Sequence, residues 1–312
     1  MTKILLTGTS GFVASELIPK LKEKGHEVYG IARYVTGRVA PVNNIPTYFA
    51  DLRDGFSIRK IVREVQPDVV IHVGALSRVS ESYDHPQEFI EANLIGTINL
   101  AESCLRECPN FKQFLMACTS EMYGNNSFTL QKENYLRKPA SPYAVSKVAC
   151  ENYLNYMKEA YNFPISILIP FNTYGRKTDY HFFVERTISQ MLTQDKVKLI
   201  DPDPVRDWMY IEDHVNAYIS CLENPKSIGE TFNFCTGVGL SIKDTANLIA
   251  KLTNFKGEII WNSAPKRPTE SKVILGDNSK AKEVLNWHPK YSLEEGLKTT
   301  IEILKENIFQ VC

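Results

Sequence analysis

The chain has 312 residues, of which 43% are hydrophobic, and 36 basic residues balance 36 acidic ones for a formal net charge of +0. That is enough apolar content for a substantial core, and the even charge argues against broad electrostatic capture of nucleic acid or of an anionic membrane. No apolar run reaches the roughly 18–20 residues that cross a bilayer. The seven cysteines, at 104, 108, 118, 150, 221, 235 and 312, form no CxxC pair. Neither a metal site nor a disulfide framework is expected, and a reduced cytoplasmic compartment fits.

Lys3 to Thr7 reads as a short buried strand that runs into glycines, followed by a helix from about Ser15 to Lys24 stopped by Gly25. His26 to Ala32 is a second strand, Ser57 to Val65 a helix, and Asp68 to Val73 a β-branched strand. One helix is expected from Pro86 to Cys108, a strand from Phe111 to Cys118, a long helix from Ser141 to Tyr161 and a strand from Pro164 to Ile169. This alternation implies an α/β fold, a Rossmann-type doubly wound parallel sheet with a smaller C-terminal substrate lobe. Residues 1–175 form the dinucleotide-binding domain with the catalytic helix, rejoined by about 230–238. Residues 176–312 make most of the second lobe, with helical patterns near 181–194, 213–222, 241–253, 279–285 and 293–307. Ligands of such sheets bind beyond the carboxyl ends of the strands, so residues just after Thr7, Ala32, Val73, Cys118 and Ile169 share one crevice.

Thr7-Gly8-Thr9-Ser10-Gly11-Phe12-Val13-Ala14 joins the first strand to the first helix. Gly8 permits the tight turn, Gly11 allows close approach of a pyrophosphate, and Ala14 allows tight helix–strand packing. The helix N-terminus offers free N–H groups and positive dipole to phosphate, with Ser10, Phe12 and Val13 in the same turn. An acid at the end of the second strand would mark NAD. Here stands Gly30-Ile31-Ala32-Arg33, with Arg38 nearby. A guanidinium suits a 2′-phosphate and favours NADP, with NAD as the alternative; a solvated loop arginine is the plain reading of the same residue. Asp51-Leu52 follows a third strand and is placed to approach the adenine, although a surface aspartate reads the same way.

Tyr143-Ala144-Val145-Ser146-Lys147 puts Tyr143 and Lys147 on one face of a helix. An ammonium beside a phenol favours phenolate, which makes Tyr143 a usable base. Such a pair on its own would be a solvated helix face, and its meaning comes from lying downstream of the glycine turn. Thr119-Ser120-Glu121 closes a strand at the crevice edge, offering a hydroxyl and a carboxylate, or else simply a hydroxyl-rich turn.

Together, Gly8–Ala14, Thr119–Glu121 and Tyr143–Lys147 resemble the extended short-chain dehydrogenase/reductase family of NAD(P)-dependent nucleotide-sugar epimerases and dehydratases. Asn93 matches that family's helix asparagine, Asn172 in Phe171-Asn172-Thr173-Tyr174-Gly175 its substrate-loop asparagine, and Arg206 in Val205-Arg206-Asp207-Trp208 its diphosphate contact. Thr119-Ser120-Glu121, Arg206-Asp207-Trp208 and Arg267-Pro268-Thr269-Glu270 with Leu275-Gly276-Asp277 are most similar to the GDP-mannose 4,6-dehydratases, as is Arg33…Thr36-Gly37-Arg38. The chain departs in carrying Arg176 where the similar UDP-glucuronate decarboxylases carry proline.

The resemblance implies that Thr119, Glu121, Tyr143 and Lys147 are catalytic. It implies that Gly8, Ser10, Gly11, Phe12, Val13, Arg33, Asp51, Leu52, Tyr143 and Lys147 bind the cofactor, and that Ser77, Asn172, Arg206 and Arg267 bind a nucleotide sugar. It also implies a homodimer through a helix bundle that includes the Tyr143 helix, with no nucleic-acid or membrane partner and no metal. The expected reaction is 4,6-dehydration of GDP-mannose or a related sugar nucleotide through a transient 4-ketone. C4 epimerisation, uronate decarboxylation and 4-keto-sugar reduction are the alternatives in the same fold, and a non-catalytic binding module is the alternative outside it.

Overall fold

A computed structural model describes residues 1–33, 45–125 and 130–309. Strand β1 (Lys3–Thr7) has Ile4, Leu5 and Leu6 fully buried, which requires cover on both faces of its sheet. Helix α1 (Phe12–Glu23) turns Ala14, Leu17, Ile18 and Leu21 inward at helical spacing and is stopped by Gly25 at φ +79°. Strands β2 (Glu27–Ala32) and β3 (Thr47–Phe49) follow. The Asp54 side chain caps α2 (Gly55–Val65) by accepting from the N–H of Phe56 at 3.1 Å and of Ser57 at 3.2 Å. Strand β4 (Val69–His72) leads to α3 (Val79–Asp84) and α4 (Pro86–Ile90).

The single helix expected from Pro86 to Cys108 is instead interrupted. A π-helical turn, Glu91–Ile95, separates α4 from α5 (Gly96–Glu107). The cause is Asn93, whose side chain accepts from the Leu76 N–H at 2.8 Å and donates to the Leu76 carbonyl at 3.1 Å. The Asn93 carbonyl accepts instead from Thr97 Oγ1 at 2.6 Å and Cys150 Sγ at 3.3 Å. One extra residue per turn lets this asparagine reach the loop after β4 without ending the helix.

Strand β5 (Gln113–Ala117) precedes a 3₁₀ turn, Ser120–Tyr123. Helix α6 (Pro142–Tyr161) starts with proline at its first position and with Ser141 Oγ accepting from the Ala144 N–H at 3.1 Å. Then come β6 (Ile165–Pro170), β7 (Asn172–Tyr174), α7 (Phe183–Thr193), β8 (Lys196–Lys198), β9 (Val205–Tyr210), α8 (Ile211–Cys221), β10 (Thr231–Phe234), β11 (Gly239–Ser241), α9 (Ile242–Thr253), β12 (Glu258–Ile260), β13 (Val273–Ile274), α10 (Ser279–Leu285) and α11 (Leu293–Phe309).

The main sheet runs β10-β6-β5-β4-β1-β2-β3, and every neighbouring pair is parallel. The expected doubly wound architecture is therefore present. Alternate residues feed two cores. Ile4, Leu6 and Ile71 pack with Leu17, Ile18 and Val215 of α1 and α8. Leu5, Val70 and Met116 pack with Ile58, Leu100 and Leu154 of α2, α5 and α6. In the second lobe β9 pairs with β7, β11 and β13, and β8 pairs with β12. No helix among the described residues is long and apolar enough to cross a membrane.

Removing the α6 cap by Ser141→Ala is expected to lower stability by about 1 kcal/mol. Urea unfolding checks this, and an unchanged midpoint would mean the cap contributes nothing to the helix.

Candidate active site

The chain passes from edge strand β3 back to β4, beside β1, which puts the topological switch point between β1 and β4. A cleft of about 2660 Å³ opens there, along the carboxyl ends of the strands. Single small-molecule sites span roughly 300–1,000 Å³, so this cleft has room for two extended ligands.

Its floor is the glycine turn. Gly8 has φ +70°, and a Cβ on it would lie 2.7 Å from the Gly74 Cα, just past β4. The Gly11 N–H donates to the Gly8 carbonyl at 2.8 Å, and no side chain caps α1. The first N–H groups of α1 are thus left for a ligand, with the helix dipole behind them. Ser10, Gly11, Phe12 and Val13 line the cleft. This cradle fits the pyrophosphate of a dinucleotide.

Below the turn lies a buried relay. Thr97 Oγ1 gives its hydrogen to the Asn93 carbonyl and so accepts from His72 Nε2–H at 3.0 Å. In the neutral ring Nδ1 is then the acceptor, taking the Thr7 hydroxyl hydrogen at 2.7 Å, while Thr7 Oγ1 accepts from the Gly74 N–H at 2.9 Å. His72 is neutral: burial pushes its pKa down to about 3, with the Lys147 charge adding to the effect.

At the β2 and β3 end of the cleft, Arg33 lines the wall with its Nη1 at 3.8 Å from Glu88 Oε1. Arg38 and the Thr36–Gly37 pair lie outside the described residues. Asp51 and Leu52 also line the cleft. Asp51 is gripped by Arg53, Nε to Oδ1 at 3.0 Å and Nη2 to Oδ2 at 2.7 Å, which holds its carboxyl below the usual range.

Helix α6 brings Tyr143 (8% exposed) and Lys147 (3% exposed) to the cleft wall. Thr119 also lines the cleft and caps the Ser120–Tyr123 turn by accepting from the Glu121 N–H at 3.3 Å. Ser146, one turn along, donates to the Tyr143 carbonyl at 2.7 Å and accepts from Asn93 Nδ2 at 2.9 Å. The π-helical turn thereby holds both the β4 loop and the Tyr143 helix. The expectation that Lys147 lowers the Tyr143 pKa differs from this state of the protein. Burial pushes the phenol up, the nearby Thr119 hydroxyl only partly opposing it, and the Lys147 ammonium donates to the Ala117 carbonyl at 2.8 Å. Glu121, half-buried in the same wall, is also pushed up by burial, while Arg206 and Arg267 pull it down.

On the side of the cleft formed by β7, α7 and β9, Asn172 lines the wall, its buried Oδ1 without a hydrogen-bond partner among the described residues. Ser77 sits exposed at the rim. Arg206 is buried, donates to the Ser271 carbonyl at 2.9 Å and pairs with Glu270, whose other oxygen lies 3.6 Å from Arg267 Nε. Three features lay beyond sequence reading. Arg186, on α7, lines the cleft with no hydrogen-bond or ion-pair partner among the described residues, and burial lowers its pKa. Gly74 and His72 shape the floor, and His72-Val73-Gly74 at the end of a β-branched strand was the available signal. Arg176, the departure from proline, lies 4.4 Å over the Phe12 ring and 3.5 Å over Phe182, joining the cofactor turn to the second lobe.

Known proteins resemble this arrangement over nearly the whole chain. A family model described as GDP-mannose 4,6 dehydratase matches residues 5–300. The UDP-glucose 4-epimerase of Mycolicibacterium smegmatis is 30% identical over 97% of this chain and 98% of its own. The GDP-mannose 4,6-dehydratase of Yersinia enterocolitica is 29% identical over 95% of this chain and 91% of its own. Among solved structures, UDP-glucose 4-epimerase from Thermotoga maritima with UDP-glucose superposes with a TM-score of 0.92 at 30% identity, covering 98% of this chain and 99% of that one. The Thermus thermophilus UDP-glucose 4-epimerase complex with NAD gives 0.89 at 28% identity, covering 97% and 98%.

Gly8→Val adds a side chain where φ is positive and backbone crowds the site. Expected is at least a tenfold loss of dinucleotide affinity, about 1.4 kcal/mol, by calorimetry on folded protein. Unchanged affinity would remove the turn from the cofactor site.

Proposed function

The chain belongs to the family of NAD-dependent nucleotide-sugar epimerases and dehydratases with the short-chain dehydrogenase/reductase fold, and from that premise we propose that it is a nucleotide-sugar 4,6-dehydratase acting on GDP-mannose or a related sugar nucleotide. The observation that carries this reading is Glu121. It puts a carboxyl in the cleft that Tyr143 and Thr119 also line, close enough for its charge to act on the Tyr143 phenol. A 4-epimerase needs only hydride removal and return at C4. A dehydratase needs in addition a group that handles the C5 proton and the C6 oxygen.

A nicotinamide dinucleotide, which the Gly8–Val13 turn, Arg33, Asp51 and Leu52 would hold, would supply the hydride chemistry between C4 and C6 of the sugar. Tyr143 takes the C4 hydroxyl proton, and Thr119 holds the C4 oxygen. The 4-ketone acidifies C5–H. Glu121 takes that proton and delivers it to the C6 hydroxyl, which leaves as water; C5 is then reprotonated from solvent, and Tyr143 releases to solvent the proton it took from the C4 hydroxyl. The product is a 4-keto-6-deoxy sugar with no net redox change. A carboxyl pushed up by burial is suited to such shuttling. Lys147 would hydrogen-bond the ribose beside the nicotinamide. Asn172 and Ser77 contact the sugar, and Arg206 and Arg267 hold the diphosphate, joined by Arg186, which feels the Arg267 charge and has no hydrogen-bond partner for its Nε among the described residues.

NADP is the cofactor we favour, because Arg33 stands at the end of β2 where an acid would select NAD. NAD is the alternative, supported by the Thermus thermophilus complex. We also propose that the protein is cytoplasmic and dimerises through a bundle containing α6, which exposes Val145 and Tyr156. A second reading, 4-epimerisation, rests on the two UDP-glucose 4-epimerase relatives.

Mass analysis after incubation with GDP-, UDP-, dTDP- and CDP-sugars tests the proposal. Expected is loss of one water, whereas decarboxylation loses carbon dioxide, epimerisation changes no mass, and reduction consumes cofactor stoichiometrically. Glu121→Gln should lower turnover about a hundredfold or more while leaving nucleotide binding intact. Full activity in that variant would exclude Glu121 from the chemistry.

A further inference from the structure

Tyr143, Lys147 and Glu151 follow one another at four-residue spacing along a single face of α6. Lys147 and Glu151 are both buried, at 3% and 5% exposure. An acid one turn from a buried lysine would ordinarily take that lysine as its partner. Here it does not. Glu151 is held in a fork by Arg137, Nε to Oε2 at 2.8 Å and Nη2 to Oε1 at 2.7 Å, while Lys147 Nζ reaches the Ala117 carbonyl at 2.8 Å. Arg137 is itself fixed, with Nη1 donating to the Tyr135 carbonyl at 3.0 Å. Its guanidinium lies 4.8 Å over the ring of Tyr123, whose hydroxyl donates to Asn233 Oδ1 at 2.7 Å. Tyr123 ends the turn that carries Thr119 and Glu121. Arg137 therefore touches both segments that build the active-site wall, yet neither it nor Glu151 lines the cleft.

We propose that Arg137 and Glu151 are positioning residues: the pair braces α6 against the Thr119–Tyr123 turn and, by neutralising Glu151, keeps Lys147 directed at the Tyr143 end of the helix. This rests on the reading of Tyr143 and Lys147 as the proton-transfer pair. Without Arg137, Glu151 becomes an uncompensated buried carboxylate one turn from Lys147 and draws the ammonium away. The other titratable groups facing Tyr143 and Lys147 are His72 from β4, Cys118 and Glu121 after β5, Cys150 on α6 and Tyr218 on α8. Cys118 feels Glu151, Lys147 and Arg137 together, which puts all three charges in one buried neighbourhood.

The test is the pH profile of kcat/KM, measured with GDP-mannose or UDP-glucose, whichever the product panel shows to be turned over. Activity needs the phenol deprotonated, so the acid limb rises through its pKa. Arg137→Met adds net negative charge beside Lys147 and should move the limb up by about one pH unit, a tenfold loss below it. Glu151→Gln leaves Arg137 as added positive charge and should move the limb down. The double variant removes both charges and should return the limb close to that of the wild-type enzyme. A purely structural pair predicts no opposite shifts and no rescue. The proposal is overturned if Glu151→Gln leaves the limb in place, or if the double variant is displaced as far as Arg137→Met. Glu151→Gln decides the matter alone should Arg137→Met not fold. Tyr143→Phe distinguishes the two levels: if it retains activity, the proton-transfer reading fails, whatever the brace does.

Discussion

Everything in this molecule hangs on the near-contact of two backbones, Gly8 after β1 and Gly74 after β4. A Cβ at Gly8 would fall 2.7 Å from the Gly74 Cα, so no side chain fits between the strands at the switch point. The approach is fixed from beneath by Thr7, which accepts from the Gly74 N–H and donates to His72. With all strands of the main sheet parallel, this point collects the ends of β1, β2, β4, β5 and β6 along one edge. Dinucleotide and sugar nucleotide can then meet where the strands end, without a loop having to carry either far.

From that edge the functional groups are held by polar contacts that cross elements. Asn93 reaches the loop after β4 and, through Ser146, the Tyr143 helix. Thr119 caps the turn that carries Glu121. Arg206 and Arg267 converge on one carboxylate, Glu270, and Arg186 adds a third guanidinium without a partner among the described residues. Arg186 feels the Arg267 charge, and the same two arginines that pair with Glu270 also act on Glu121, so three guanidiniums and two carboxyls share this end of the cleft.

Much of this was legible in the sequence. Buried strands read as continuous apolar runs because both faces are covered, and helices α1, α6 and α9 announced themselves through spacing and end signals. The glycine turn and the Tyr143–Lys147 spacing are local, and local geometry survives in sequence. What was not legible was non-local. The π-helical turn depends on an asparagine bonding a loop far earlier in the chain. The short strands around β9 exist because the second lobe folds across itself, with pairings such as Asn172 to Trp208 that no periodicity encodes. The effect of burial on Tyr143 and Glu121 likewise follows from what surrounds them, not from neighbours in sequence.

The most direct test of the account is turnover in deuterium oxide. If Glu121 exchanges the C5 proton with solvent while hydride moves within the sugar from C4 to C6, the product carries one solvent deuterium at C5, and C6 keeps the hydrogen that began on C4. A product that keeps its C6 hydroxyl, with its original hydrogen back on C4 and no deuterium at C5, would mean that the chemistry goes no further than C4 and that the enzyme is not a dehydratase.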